Sequence, residues 1–132
     1  MAANRALSQA WQDRQTRAWL TEKLAGDRSF AIRQLALERL ARAWPDNESR
    51  SVVTERALGD LDRDVRKSGL SMLARIWPDE DTLTLLVDRS ASDPDTHVRV
   101  AAVEIISRGW PDNATHRMLL DWLSPEIFCR FV

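Results

Sequence analysis

The stretch ARAWPDNES, residues 41–49, contains the tripeptide Trp44-Pro45-Asp46, which returns twice at a spacing of 33 residues. The later copies are Trp77-Pro78-Asp79 and Trp110-Pro111-Asp112, and Trp11-Gln12-Asp13 stands one period before the first. Because proline has no N–H and disfavours helical backbone in the residue before it, each copy predicts the end of a helix followed by a turn. A period of this length is typical of proteins in which one small unit stacks on its neighbours.

An amphipathic helix is predicted before each tryptophan, and we call these the A helices. They span residues 31–43, 64–76 and 97–109. In the first of them positions 32, 35, 36, 40 and 43 are apolar, which is the stripe of one helical face. A column of small residues falls on the same stripe, namely Ala36, Gly69 and Ala102. Since glycine costs roughly 1 kcal/mol in helix propensity relative to alanine, Gly69 indicates that a neighbouring helix approaches closely.

A second helix is predicted after each tryptophan corner, and we call these the B helices. The hydroxyl residues three positions after each corner aspartate are expected to be their N-caps. These residues are Thr16, Ser49, Thr82 and Thr115. The B helices are expected near 17–25, 50–59, 83–91 and 116–123. Each of the first three ends at a second turn marked by an aspartate, and an arginine follows six residues later, as Asp27/Arg33, Asp60/Arg66 and Asp93/Arg99.

The two-helix unit with this aspartate and arginine resembles the HEAT repeat in its short bacterial form, over roughly residues 5–123. The resemblance implies an all-α fold: a right-handed α-solenoid of stacked antiparallel helix pairs with a 33-residue period. It also implies that the Asp/Arg pairs form a ladder between successive units. The Trp-Pro-Asp corner is similar to repeats appended to bacterial NACHT-type signalling NTPases.

The whole chain, residues 1–132, is interpreted as a single domain of HEAT-like units. The units span about 1–26, 27–59, 60–92 and 93–123, and 124–132 is expected to be the start of a further or capping helix. A solenoid needs polar caps to stay soluble, and neither end resembles one. This fits a fragment of a longer solenoid, or self-association through the solenoid ends.

Composition excludes several classes of protein. The chain has 19 basic and 20 acidic residues and a net charge of −1, which gives no general attraction to nucleic acid or to an anionic membrane. The single Cys129 rules out an internal disulfide and a cysteine-based metal site, and it favours a reducing, cytoplasmic location. No apolar run approaches the roughly 18–20 residues of a membrane span.

No catalytic, cofactor-binding or metal-binding residue is predicted. Trp-Pro-Asp resembles the acid loop of protein tyrosine phosphatases, but Cys129 lies in no phosphate-binding loop, which that chemistry needs. His97 and His116 have no histidine or cysteine at ligand spacing. The arginine column two residues before the tryptophans, Arg42, Arg75 and Arg108, is expected to cover the indole rings, with phosphate binding as the alternative.

The exposed face of the B helices is the candidate partner surface. It combines adjacent acidic and basic residues with three aromatic residues near the C-terminus. The set is Glu22, Lys23, Glu55, Arg56, Asp88, Arg89, Trp122, Phe128 and Phe131. The resemblance implies that the B helices line the concave surface. Mixed charge of this kind is typical of a partner surface or of an ordinary solvated face, and tryptophan is enriched at binding hot spots.

The expected function is a non-catalytic protein-binding scaffold or recognition module, part of a larger protein or assembly, whose partner is another protein or domain. Nucleic-acid binding is the alternative, from a resemblance to HEAT-like DNA glycosylases; it requires a concentrated basic groove, whereas here an acid stands beside each basic B-helix residue. A third alternative is an enzyme on a HEAT scaffold. It would need polar residues that break the repeat pattern and converge in one pocket, and no such set is found.

Overall fold

The computed structural model describes the backbone of residues 2–111 and the side chains of residues 13–111. This part of the chain forms six α-helices and contains no strand. The helices are α1 (Ala2–Gly26), α2 (Phe30–Ala43), α3 (Asn47–Gly59), α4 (Arg63–Ile76), α5 (Glu80–Ser92) and α6 (Thr96–Gly109). The A helices are therefore α2, α4 and α6, each beginning one residue before its predicted start, and the all-α prediction is confirmed.

Each tryptophan corner has the same backbone geometry. Trp44, Trp77 and Trp110 are the C-caps of α2, α4 and α6, with φ between −134° and −127° and ψ between 65° and 75°. The following proline cannot continue the helix. All three indole groups are half-buried and pack against the hydrophobic core. The tryptophan column is thus part of the structural framework, as the repeat implied.

The N-caps of α3 and α5 are the corner aspartates, which corrects the prediction for the hydroxyl column. Asp46 accepts a hydrogen bond from the Ser49 N–H at 3.0 Å, and Asp79 accepts one from the Thr82 N–H at 3.0 Å. Aspartate is as good an N-cap as serine, and α3 and α5 therefore begin three residues earlier than expected. Thr16 lies inside α1, and Thr115 lies outside the described residues.

The predicted corner at Trp11-Gln12-Asp13 is absent, because α1 runs without a break from Ala2 to Gly26. This stretch has Gln12 where the other corners have proline. Glutamine keeps its N–H and leaves the preceding residue free to stay helical, so nothing ends the helix. The half A helix and the B helix expected in the first unit are one continuous helix.

The helices form two rows that differ in spacing. Each Asp turn joins a closely packed antiparallel pair, so that α1 packs on α2, α3 on α4 and α5 on α6. Helices α2, α4 and α6 also pack directly on one another, and we call them the stacked row. We call α1, α3 and α5 the open row, because close approaches between them are few.

The core lies between the two rows. Its fully buried side chains come from repeat columns of both rows, including Leu37, Leu40, Val53, Leu70, Leu73, Leu86 and Ile106. No single helix pair could bury this surface alone, which is why the units must stack.

Gly69 of α4 lies at a close contact with α3. A Cβ atom built on Gly69 would lie 2.8 Å from the Ala57 Cβ and 2.9 Å from its Cα. Both distances are too short for carbon atoms in contact, and one of them involves backbone. The close approach inferred from the small-residue column is confirmed.

We expect Gly69→Ala to lower the free energy of unfolding by about 1–3 kcal/mol, because the added methyl group forces α3 and α4 apart. Helix propensity alone would change stability by about 1 kcal/mol in the opposite direction. Urea denaturation followed by tryptophan fluorescence measures the change. The control is Gly59→Ala, where an added Cβ has no neighbour within 4 Å. Equal stability changes for the two variants would contradict this account of the contact.

Candidate functional site

Two ladders of arginine and aspartate connect successive units. The first runs along the Asp turns, and we call it the turn ladder. Arg33 donates from Nε and Nη2 to the two carboxylate oxygens of Asp60, at 3.0 Å each, and from Nη1 to the Asp27 carbonyl at 2.8 Å. Arg66 makes the same bonds to Asp93 and to the Asp60 carbonyl. Each arginine therefore binds the turn before its own helix and the turn of the following unit.

The turn ladder is shielded from water. The Asp60 and Asp93 side chains are fully buried, and those of Arg33 and Arg66 are nearly so. Burial alone would raise the pKa of the Asp60 carboxyl, but the hydrogen bonds from Arg33 and the Asp62 N–H, with the charges of Arg33 and Arg56, outweigh it and lower that pKa. The carboxylate is thus charged and paired, as a buried ion requires.

The second ladder runs along the tryptophan corners, and we call it the corner ladder. Arg17 donates to the Asp46 carboxylate at 2.6 Å and to the Ser49 hydroxyl at 3.1 Å. Arg50 repeats this one unit later, with Asp79 at 2.6 and 2.7 Å and Thr82 at 3.1 Å. Sequence reasoning missed this ladder. Its signal was available, since an arginine follows the corner aspartate by four residues in both units.

The hydroxyl column accepts hydrogen bonds from the corner ladder instead of capping helices. The Ser49 and Thr82 side chains are buried under the guanidinium groups of the preceding unit. Leu83 replaces the arginine at the equivalent position of the third unit. Among residues 13–111 the corner ladder therefore has two rungs.

The cation over the Trp44 ring is Arg17, whose guanidinium carbon lies 5.9 Å from the ring centroid. It comes from α1, one unit before the tryptophan. At Trp44 the cation is therefore Arg17 and not the expected Arg42. Arg42, Arg75 and Arg108 are exposed.

The charged candidate residues all lie on the open row, on α1, α3 and α5. Their acidic members, Glu22, Glu55 and Asp88, are exposed, one on each helix. The packing puts them on the more widely spaced row. That the B helices line the concave surface stays a prediction. Trp122, Phe128 and Phe131 lie outside the described residues.

The basic candidate residues are directed toward acidic groups of their own helix or turn. The Lys23 ammonium lies 3.7 Å from the Asp27 carboxylate, and Arg56 lies 3.6 Å from that of Asp60. Arg89 donates to Asp88 at 2.7 Å. The three basic side chains are only half exposed. The open row therefore presents mainly carboxylates to solvent, and its exposed charge is more acidic than basic.

Grooves separate the helices of the open row. One cavity of about 610 Å³ is lined by residues of α1 and by Glu48 of α3, and Glu22 stands on its wall. In the side chains described, no cluster of three or more histidine, cysteine or acidic residues could hold a metal ion. No helix in the described part of the chain is both long and apolar enough to cross a bilayer.

Comparison with known families gives a match to HEAT repeats over residues 17–107, more than half of the chain. The chain belongs to the HEAT-repeat family. No curated protein and no solved structure gives a significant match. The matched range contains every rung of both ladders described above.

Arg66→Ala should destabilise the HEAT stack by about 3–5 kcal/mol, because it leaves the buried Asp93 carboxylate without its counter-ion. Urea denaturation gives the value. Arg63→Ala is the matched control: its 3.5 Å ion pair with Asp95 is half exposed, so the loss should stay below about 1 kcal/mol. Similar losses of stability in both variants would show that burial of the turn ladder does not increase its contribution to the free energy of unfolding.

The corner ladder should make stability depend on acid pH. The hydrogen bonds that the Asp46 carboxylate accepts from Arg17 and from the Ser49 N–H lower its pKa from 3.8 to about 2. Because the folded pKa lies below the unfolded one, this contribution is complete above pH 3.8 and is lost as the pH falls toward about 2.

Asp46→Asn should flatten the pH dependence of stability in that interval, since asparagine keeps the N-cap and removes the charge. Thermal unfolding measured by circular dichroism at a series of pH values provides the test. Glu55→Gln removes an exposed carboxylate of the same helix and should leave the slope at its parent value. If the stability of Asp46→Asn depends on pH as steeply as that of the parent, the contribution assigned to the Asp46 carboxylate is refuted.

Proposed function

We propose that this HEAT chain is a non-catalytic recognition module whose open row binds another protein. The observation that carries the proposal is the regular row of exposed carboxylates Glu22, Glu55 and Asp88. Successive helices of that row are tied together by the corner ladder. The row is therefore presented at constant spacing, which favours an extended partner over a small ligand. HEAT-type solenoids use such continuous surfaces for binding.

The chemistry of the row favours a partner segment with basic side chains. Lys23, Arg56 and Arg89 are held by Asp27, Asp60 and Asp88, so the acids Glu22 and Glu55 keep their charge available to a ligand. The groove between α1 and α3 offers space beside Glu22. Opposite charges across a contact increase association rates and specificity more than affinity.

The remaining features of the proposal come from the sequence. Trp122, Phe128 and Phe131 would extend the surface with aromatic contacts, which are enriched at hot spots. The unit boundaries near 26, 59 and 92, a cytoplasmic location and a place in a larger bacterial assembly of the NACHT type belong to the same proposal. Their support is the Trp-Pro-Asp corner, the 33-residue period and the single cysteine.

Nucleic-acid binding is the second candidate, and the exposed column Arg42, Arg75 and Arg108 is the observation in its favour. These arginines repeat along the stacked row at one per unit. The carboxylates of the open row oppose it, since a phosphate backbone requires a concentrated positive surface. A gel shift with duplex DNA at low salt separates the two candidates, and we expect no shift.

The triple variant Glu22→Ala, Glu55→Ala, Asp88→Ala tests the protein-binding proposal. A pulldown from the source cell, compared by mass spectrometry between parent and variant, should show a protein retained by the parent and lost from the variant. The difference would come from lost contact with the row and not from unfolding of the variant, because exposed acids contribute little to the stability of the fold. Circular dichroism should give the same helix content for both proteins.

The matched control is Arg42→Ala, Arg75→Ala, Arg108→Ala, which removes three exposed charges from the other row. It should retain the same partner as the parent. Equal loss in both triple variants, or a partner bound equally by all three proteins, would refute the open row as the binding surface.

A further inference from the structure

A cavity lies between the first two Asp turns, at the ends of the helices opposite to the tryptophan corners. It measures about 430 Å³, and Arg28, Arg33, Arg56 and Leu61 are among its lining residues. We call it the turn pocket. Its two walls are the turn after α1 and the turn after α3, so its outline is set entirely by described residues.

Small residues keep the turn pocket open. Ala25, Gly26 and Gly59 line it, and a Cβ atom built on either glycine would meet nothing within 4 Å. One unit later the position of Arg28 is taken by the uncharged Leu61. The pocket therefore interrupts the repeat, whereas the two ladders follow it. A set of residues that departs from the pattern of its own fold is typical of a functional site.

The turn pocket has an excess of one positive charge. Its ionisable lining residues are three arginines and two aspartates, namely Arg28, Arg33, Arg56, Asp27 and Asp60. Both carboxylates already have partners. Asp60 accepts hydrogen bonds from Arg33 and from the Asp62 N–H. Asp27 accepts one from the Ser29 N–H. One further negative charge would therefore balance the pocket.

Two of the arginines keep hydrogen-bond donors that nothing in the described chain uses. Arg28 is exposed, and its guanidinium group makes no hydrogen bond or ion pair within residues 13–111. Arg56 lies in the last turn of α3, where a helix C-terminus favours a cation. Its Nη1 lies 3.6 Å from the Asp60 carboxylate, which is too far for a hydrogen bond. A carboxylate in the pocket therefore meets unused N–H donors of both arginines.

An apolar contact point lies beside these donors. Leu61 lines the pocket and is 97% exposed, and Leu58 at the end of α3 is 42% exposed. Because burial of such side chains is favourable, a ligand gains affinity by carrying an apolar group next to its carboxylate. A phosphate group matches less well, since it carries about −1.5 to −2 charges at neutral pH against an excess of one positive charge in the pocket.

We propose that the turn pocket binds an acidic segment of a partner protein, whose carboxylate contacts Arg28 and Arg56 while a neighbouring apolar residue covers Leu61. None of the open-row carboxylates lines the pocket, so this site is separate from the surface proposed above.

An extended segment of another protein fits the pocket better than a second copy of this chain does. In the described residues, the exposed acids that have an exposed apolar neighbour lie within helices, as Glu55 does beside Leu58 on α3. A helix is about 10 Å wide with its side chains, so it would rest on the rim of a cavity of this size. An extended segment can lower one carboxylate into it.

The test uses the full 132-residue chain with Cys129→Ser, which removes its single thiol, and Leu61→Cys, which places a thiol at the pocket. The protein is equilibrated in a thiol–disulfide buffer with equal amounts of N-(3-mercaptopropionyl)-leucine and its carboxamide, which lacks the negative charge. Mass spectrometry of the intact protein gives the ratio of the two adducts. The acid should be preferred about fivefold, the upper range for a partly exposed ion pair, and Arg28→Gln should bring the ratio close to one.

Two matched controls separate the pocket from the general field of the protein. Arg42→Gln removes an exposed arginine from the opposite ends of the helices and should leave the ratio at Leu61→Cys unchanged. Ser51→Cys in place of Leu61→Cys puts the thiol at another exposed position of the chain, and it should show no preference for the acid. A ratio near one at Leu61→Cys, or a ratio that Arg28→Gln leaves unchanged, would overturn the proposal.

A peptide titration tests the extended segment on the parent chain. The nitrogen-15-labelled protein is titrated with the acetylated and amidated peptide GSLDLSG, in which an aspartate stands between two leucines. Nuclear magnetic resonance should show saturable shifts of the backbone amides of residues 26–28 and 59–61, and the peptide GSLNLSG should bind about fivefold more weakly. Glu55→Ala, Asp88→Ala should bind GSLDLSG like the parent, which separates this site from the open row. Equal affinity for the two peptides, or no binding, would contradict the proposal.

Two further measurements distinguish the other occupants. Sedimentation velocity under reducing conditions should show a monomer, and a dimer that Leu61→Glu dissociates would mean that a second copy fills the pocket. Vesicles of equal parts phosphatidylcholine and phosphatidylglycerol should leave the protein in the supernatant after centrifugation. Vesicle binding that Leu61→Glu removes would mean that an anionic lipid surface covers this edge. Either result would count against a partner protein as the occupant and overturn the proposal.

Discussion

The bidentate bond between an arginine and the aspartate of the following turn is the interaction on which the rest of the structure depends. Arg33 and Arg66 each contact two consecutive turns, one through a carbonyl oxygen and one through a carboxylate. A planar guanidinium group tolerates little error in such a geometry. Each rung therefore sets the position of one unit relative to the next, and apolar packing then completes the contact.

The two ladders have different physical characters. In the turn ladder both aspartates are buried, so the ions are costly to expose and the arrangement is sensitive to the loss of one partner. In the corner ladder Asp46 and Asp79 are half exposed, and exposed ion pairs contribute less because water screens them. In the corner ladder Asp46 has three roles instead. It caps α3, accepts a hydrogen bond from Arg17 and places that arginine over Trp44.

The wide spacing of the helices in the open row follows from the different positions and roles of the two ladders. Those helices are joined through the corner ladder and through the stacked row, with few close approaches between them. Grooves remain between them, and Glu22, Glu55 and Asp88 stay exposed.

The repeat, the helical class and the tryptophan corners were determined by the sequence alone, because local chemistry decides them. Proline ends each A helix, small residues such as Gly69 permit close packing, and the columns define the core. Local patterns were insufficient where two residues compete for one role or where a partner is distant in sequence. Asp46 took the cap expected of Ser49, Gln12 let α1 continue, and Arg17 replaced Arg42 at the tryptophan. Only the tertiary structure decided which row is closely spaced, since that depends on contacts between residues 27 to 32 positions apart. It also decided which candidate charges reach solvent, because the side chains of Lys23 and Arg56 turn toward the turn aspartates Asp27 and Asp60.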